Sequence, residues 1–380
     1  MLLNALRISI LKMKIPYVNI KQQYKTEKKQ LLNVIDKVLS SGSWVGGKEV
    51  ERFEKSISKI CNTKYCISLN SGTDALTLAL HLLGVKKGDE VITPPNSFIA
   101  STAVIVHLGA KPVFVDVKKD QNINENKIEA KITKKTKAIM PVHLTGRMCS
   151  MDKIMKIGRK YNIPVIEDCA QSILSKYKGK MSGAWGDVGC FSAHPLKNLN
   201  ASGDGGYLTT NNRLIYEKIK NLRSHGMEES RDNVKQFGFV SRMDNIQAAI
   251  LNYRLKDLKK NIKIRRKNIK LYLENLNLDK IYFPIEKKNE FNTYHTFVVQ
   301  VEKRNELREF LKKKGIDTAI HYPVPIHLQK ASKYLNYKSG DFTETENQSK
   351  RILTLPINQY LTKKEIYYIC KTINYFYEKI

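Results

Sequence analysis

Several absences narrow the reading of this 380-residue sequence. No apolar run approaches the roughly 20 residues that a membrane helix requires, so membrane insertion is not expected. Residues 1–12 lack the long apolar core and small-residue cleavage site of a signal peptide. Met13 opens the stretch Lys14-Ile15-Pro16-Tyr17 and is a second candidate start. The six cysteines, Cys61, Cys66, Cys149, Cys169, Cys190 and Cys370, form no C-x-x-C pair and no spacing typical of zinc. No metal site is expected from them. Most sit in apolar, strand-like surroundings and read as buried thiols of a reducing compartment, the cytoplasm. Acidic residues are scarce, 36 against 66 Lys and Arg, giving a formal net charge of +30. Such an excess can mark a nucleic-acid partner. Yet there is no zinc finger, RNA-recognition signature, aromatic-basic platform or appended helix-turn-helix, and the lysines are spread along the whole chain. The densest run, Lys256 to Lys260 and on through Arg265-Arg266-Lys267, lies on a helical pattern. The charge therefore reads as compositional bias on a solvated surface that would also attract an anionic small substrate.

What is present is an alternation. Tyr24 to Leu39 is periodic and charged and predicts a helix. Strand patterns follow at 65–70, 90–93, 112–116, 137–142 and 164–168, with helices expected over 73–83, 98–108 and 150–161. Short β-branched apolar runs separated by amphipathic helices predict an α/β fold with a mostly parallel sheet between helices. A long helical pattern runs from Met243 towards Leu273. Beyond it come a strand at 296–301, a helix at 305–314, the segment 318–323 and a closing helix at 363–376. The length suits two domains: residues 1–265 as an N-terminal arm plus large domain, and 266–380 as a smaller C-terminal α+β domain.

Lys197 carries the chemistry. It lies in Phe191-Ser192-Ala193-His194-Pro195-Leu196-Lys197-Asn198, just before the turn Gly203-Asp204-Gly205-Gly206, and Asp168 ends the strand Ile166-Glu167-Asp168. A lysine amine and a strand-end carboxylate are what pyridoxal phosphate requires. The amine forms a Schiff base with the aldehyde, and the carboxylate keeps the pyridine nitrogen protonated. Asn70-Ser71-Gly72-Thr73 joins a strand to a helix, where free N–H groups and the helix dipole favour a phosphate. An ordinary cap by Ser71 or Thr73 is the alternative. Phe98 can stack on a flat ring or serve the core. Gln171 can bond a polar cofactor edge or face solvent, and Ser192 can hold phosphate or merely end a strand. His194 is a candidate donor beside the cofactor.

These motifs, taken in order, resemble the DegT/StrS-like sugar-nucleotide aminotransferases of pyridoxal-phosphate fold type I. The likeness runs from Gly46-Gly47-Lys48-Glu49-Val50 through Ser71 to Leu76, Glu167 to Gln171 and Phe191 to Gly206. It continues in Ser241-Arg242-Met243-Asp244, Gln247-Ala248-Ala249, His321-Tyr322-Pro323 and Pro325-Ile326-His327. The resemblance implies that Lys197 is the Schiff-base lysine and that Asp168 faces the pyridine nitrogen. It also implies that Phe98 stacks on the ring, that Gln171 lies near its polar edge, and that Gly72, Thr73 and Ser192 hold the phosphate. It further implies a homodimer in which Arg242 reaches the partner's site, with His194, Arg242, His321 and Tyr322 as candidate substrate contacts. Val240 stands where many members carry an asparagine, so the cross-subunit hydrogen bond from that position is lost.

The implied reaction is ping-pong transamination of a 3-keto or 4-keto deoxysugar nucleotide, with L-glutamate as donor, giving an amino-sugar nucleotide for surface polysaccharide or glycan biosynthesis. The Ser241 to Asp244 variant is similar to members acting at C3. A dehydratase on the same fold would carry histidine in place of Lys197. A non-enzymatic regulator or nucleic-acid-binding protein would rest on the positive charge alone.

Overall fold

The computed structural model describes residues 13–228, 232–234 and 236–379; the reading of residues 1–12 lies outside them. The first helix, α1 (Ile20–Ser40), begins where the Asn19 side chain accepts the Gln22 N–H at 3.1 Å. After α2 (Lys48–Cys61) the alternation expected from the sequence follows: β1 (Tyr65–Leu69), α3 (Gly72–Leu82), β2 (Glu90–Thr93), α4 (Ala100–His107), β3 (Lys111–Phe114), β4 (Thr136–Ile139), α5 (Met151–Tyr161) and β5 (Ile166–Asp168). A small hairpin, β6 (Lys176–Tyr177) with β7 (Lys180–Met181), precedes β8 (Val188–Ser192) and β9 (Gly206–Thr210).

Two ladders, β1-β9-β8-β5 and β3-β2-β4, are stitched together by parallel bridges from Ile139 to Val165 and from Val142 to Asp168. The joined sheet runs β1-β9-β8-β5-β4-β2-β3, and only β9 opposes its neighbours. The mostly parallel sheet is therefore observed. Its β1, β2 and β8 residues are nearly all buried, which is why these runs read as continuous apolar stretches rather than alternating ones.

Downstream lie α6 (Arg213–Leu222), α7 (Asn245–Leu255) and α8 (Leu258–Asn275). The single long helix expected after Met243 is thus two, divided at Lys256-Asp257. Leu258 and Ile262 of α8 pack into the core beside the large sheet, whereas Ile269 and Tyr272 join a second core. That second core is built on β10 (Ile281–Tyr282), β12 (Phe297–Val301) and β13 (Ile352–Leu355), with α9 (Arg304–Lys313) and α11 (Lys363–Glu378) against them. Between β10 and β12, β11 (Glu290–Phe291) pairs with β6 of the large unit, and α10 (Thr343–Arg351) leads into β13. The segment 318–323 forms no strand and contributes only a bridge from Ala319 to Thr354. Ile15 is fully buried in the second core and pairs with Ile316, so the first described residues strap onto the C-terminal unit.

Candidate active site

β5 and β8 pair in parallel within the sheet, so their C-terminal ends lie side by side, and the site opens beyond them. Asp168 terminates β5 and is 4% exposed. Its Oδ2 accepts the Ser101 hydroxyl at 2.8 Å, and Oδ1 accepts the Ala170 N–H at 3.1 Å. Strand alternation turns the preceding residue to the other face. There Glu167 accepts Trp185 N (2.7 Å), Gly186 N (2.8 Å), Gly183 N (3.1 Å) and His143 Nε2 (2.9 Å). His143 Nδ1 accepts the Cys149 N–H, so its hydrogen sits on Nε2 and is donated to Glu167. Glu167, His143 and Cys169 lie close enough together to suggest a metal cluster, but the Glu167 lone pairs are committed to these donors. The knot fixes the strand end that presents Asp168.

Opposite stands the N-terminus of α3. The Ser71 hydroxyl accepts Asp74 N–H at 3.0 Å, so the capping role expected as the alternative is present. The glycines explain how the helix comes so near the strand ends. A Cβ on Gly72 would sit 2.7 Å from the Ser192 Cβ, and one on Gly206 only 2.2 Å from the Ser71 carbonyl carbon. Backbone packs on backbone there, leaving Gly72, Thr73 and Ser192 together on the cavity wall. The Ser192 hydroxyl also accepts the His194 N–H at 3.3 Å.

Lys197 follows a turn closed by its own N–H on the His194 carbonyl at 2.8 Å. Its amine has no hydrogen-bond or ion-pair partner among the described residues. Burial pushes its pKa below the ordinary lysine value, against the opposing pull of the Asp168 carboxylate. His321 bonds the Thr354 hydroxyl through Nδ1 at 2.9 Å, and burial, then the Lys197 charge, pushes its pKa down to about 4. Burial, then the Asp168 charge, raises the Tyr322 phenol. The Phe98 ring lies 6.0 Å from that of Tyr322 and is 57% exposed, so it is not a core residue. Gln171 is buried, not at the surface, and its Oε1 accepts Thr145 N–H at 2.7 Å.

Gly72, Thr73, Phe98, Asp168, Gln171, Ser192, His194, Lys197, His321 and Tyr322 all line one cavity of about 370 Å³, within the range of small-ligand sites. A helix N-terminus, an exposed aromatic, a buried carboxylate and an unpartnered, burial-shifted amine on one cavity fit a flat, phosphate-bearing pyridine aldehyde. Arg242 does not line this cavity. Its Nε is buried without a partner, and Val240 beside it is 57% exposed.

Among the wall residues that the sequence reading did not assign to the site are the polar side chains of Tyr17, Ser101, Arg265 and His295. Ser101 was legible, since it follows Phe98 by three positions in the helix expected over 98–108, although α4 itself begins at Ala100. Tyr17 reaches the site because Ile15 anchors its segment, with Ile15 N–H on the Gly315 carbonyl at 2.8 Å. Arg265 sits in the run read as solvated. Lys259, Lys260, Lys263 and Lys267 around it are indeed exposed, but one helical face turns Arg265 inward.

The family described as the DegT/DnrJ/EryC1/StrS aminotransferase family matches residues 25–374. The chain is 39% identical to a dTDP-3-amino-3,6-dideoxy-alpha-D-galactopyranose transaminase of Aneurinibacillus thermoaerophilus, over 95% of this chain and 99% of that protein. It is 38% identical to a Geobacillus stearothermophilus protein named a pleiotropic regulatory protein, over 96% and 99%. Among solved structures, S. venezuelae DesV in complex with a ketimine intermediate superposes with a TM-score of 0.93 at 34% identity, covering 97% of this chain and 99% of that one. The fold, the assembled cavity and these likenesses agree: the chain belongs to the DegT/DnrJ/EryC1/StrS aminotransferase family.

Proposed function

We propose that the chain transfers an amino group from L-glutamate to the keto carbon of a nucleotide-linked deoxysugar, giving an amino-sugar nucleotide for surface polysaccharide or glycan biosynthesis. The observation that carries this reading is the unpartnered Lys197 amine sharing one cavity with the buried, hydrogen-bonded Asp168 carboxylate. Pyridoxal phosphate, when bound, supplies an aldehyde that carries the amino group and a ring that takes up electron density. Gly72, Thr73 and Ser192 would hold its phosphate, Phe98 its ring face and Gln171 its polar edge.

Asp168 would hold a proton at the pyridine nitrogen. Its two donors, Ser101 and Ala170, keep the carboxylate aimed into the cavity. Lys197 acts as the proton carrier. Burial lowers its affinity for a proton, so the amine can both accept and return one at the substrate carbon. His321, held neutral by burial, does not compete for that proton at pH 7.

Amination at C3 is the finer reading, supported by the Ser241 to Asp244 variant and by the 3-amino sugar in the name of the Aneurinibacillus relative. A regulatory name on the Geobacillus relative gives no site argument against catalysis, whereas Lys197 argues against both a regulator and the histidine-bearing dehydratase. The working unit is proposed to be a homodimer in which Arg242 completes the partner's site. The orphaned Arg242 Nε and the exposed apolar side chains of Trp44, Val45 and Val240 support it. The six free, buried cysteines support a cytoplasmic setting. The division of the chain near residue 265 is supported by the two cores that α8 joins.

The test is the absorbance of the purified protein with pyridoxal phosphate, before and after L-glutamate and then with candidate 3-keto and 4-keto sugar nucleotides. The wild type should change its cofactor band on meeting the donor and recover it on meeting the right sugar. Lys197→Ala should lose turnover by roughly 10²- to 10⁴-fold or more. A wild-type band indifferent to every amino acid would overturn the reading.

A further inference from the structure

Arg265 is a buried cation to which the described residues supply no counter-ion. It is 8% exposed and lines the cavity. Its neighbours Arg254 and Arg266 pair with Glu27 and Glu286. Arg265 has no carboxylate within ion-pair distance among the described residues. Its Nη1 donates to the carbonyls of Ile357 (2.9 Å), Tyr294 (3.2 Å) and His295 (3.4 Å), and Nη2 reaches only Gln359 Oε1 at 3.4 Å. Nε has no protein partner among the described residues.

Carbonyl dipoles offset part of a buried charge, but a full cation away from water is left wanting an anion. Nothing titratable beside it provides one. Burial holds His295 uncharged and raises the Tyr17 phenol, so both are neutral at pH 7. Arg265 itself, pushed down to about 10, is still charged there.

The free donors are also the right shape. Nη1 is used up on carbonyls, and what remains is the Nε–Nη2 edge, a planar two-donor fork that matches a carboxylate. The position suits a group near the reacting centre, because His295 feels the charges of both Lys197 and Arg265. The cofactor phosphate is assigned above to the N-terminus of α3, which also lines the cavity.

We propose that Arg265 anchors the α-carboxylate of the amino donor, holding the substrate carbon within reach of Lys197. This rests on the amino-transfer reading above. The anchor is a positioning device: it fixes the donor, while Lys197 moves the proton.

The experiment compares wild-type holoenzyme with Arg265→Gln and Arg265→Lys, each first checked for folding by circular dichroism and thermal unfolding. Arg265→Lys keeps a cation and donors for the carbonyls if Arg265→Gln fails to fold. Three readouts follow: the L-glutamate concentration that half-saturates the cofactor absorbance change, the same for its α-amide, and calorimetric affinities for glutarate and for dTDP and UDP. Expected are a roughly tenfold or greater weakening for L-glutamate and glutarate, loss of the preference for glutamate over its α-amide, and nucleotide affinities within about twofold of wild type. Unchanged glutamate saturation in a folded variant would overturn the inference alone, as would a loss that falls on the nucleotides instead. A wild type that responds to no amino acid would overturn the amino-transfer reading and this inference with it.

Discussion

At neutral pH the imidazoles of His295 and His321 in the cavity with Lys197 are uncharged, because the charged form of each would have to sit away from water and beside another cation. For His321 this has a measurable consequence. Its folded pKa is lowered from 6.5 to about 4. Between those values the unfolded chain binds more protons than the folded one, so stability rises with pH across the interval. The contribution is fully present above about 6.5 and is lost as pH falls towards 4. Urea unfolding midpoints should therefore drop between pH 6.5 and 4, and His321→Asn should flatten that slope. An unaltered slope in the variant would mean that other groups carry it. His295 is depressed in the same direction and adds to the wild-type slope.

At the scale of elements, the site depends on how closely α3 sits on β8 and β9. Gly72 and Gly206 allow that approach, and the missing Cβ atoms are occupied by protein backbone and by Ser192. Overpacking of cores costs about 1–3 kcal/mol, and a clash with backbone at 2.2 Å cannot be relieved by a rotamer change. Gly206→Ala should thus destabilise by at least that amount in urea titrations and weaken pyridoxal phosphate binding, since the helix N-terminus would be pushed outward. Stability within about 0.5 kcal/mol of wild type would refute the packing argument. Here the sequence reading was incomplete in an instructive way. Gly72 was legible as a site of close approach, but its partner surface was expected to be a phosphate, and the end of β8 at Phe191 and Ser192 was not foreseen. A loop reading of Gly203 to Gly206 contains no signal for which helix lies above it.

For the whole molecule, the question is whether one chain holds a complete site. Arg242 lies away from the cavity of its own chain, with a buried, unpartnered Nε. If a second copy receives it, two defective chains can repair each other. Neither Lys197→Ala nor Arg242→Ala homodimers should turn over well, but a mixture allowed to exchange subunits should regain activity. In the hybrid one site has both an intact Lys197 and an Arg242 from its partner. A mixture no better than the sum of its parts would show that Arg242 acts within its own chain or not at all. The net charge of +30 would aid capture of an anionic sugar nucleotide, and this attraction weakens as salt screens it.

The sequence by itself determined the alternating elements, the parallel sheet and the Lys197–Asp168 pair, because periodicity and strand-end chemistry are written locally. Helix ends fell within a residue or two for α3, α5, α9 and α11, since caps such as the Thr362–Glu365 box act over three positions. Only the tertiary structure decided the rest. It brought Tyr17 and His295 to Lys197, paired Asp168 with Ser101, and turned Arg265 inward from a run of exposed lysines. These outcomes depend on which faces of distant elements meet in the folded chain, and burial, unlike residue type, is a property that no short stretch of sequence possesses.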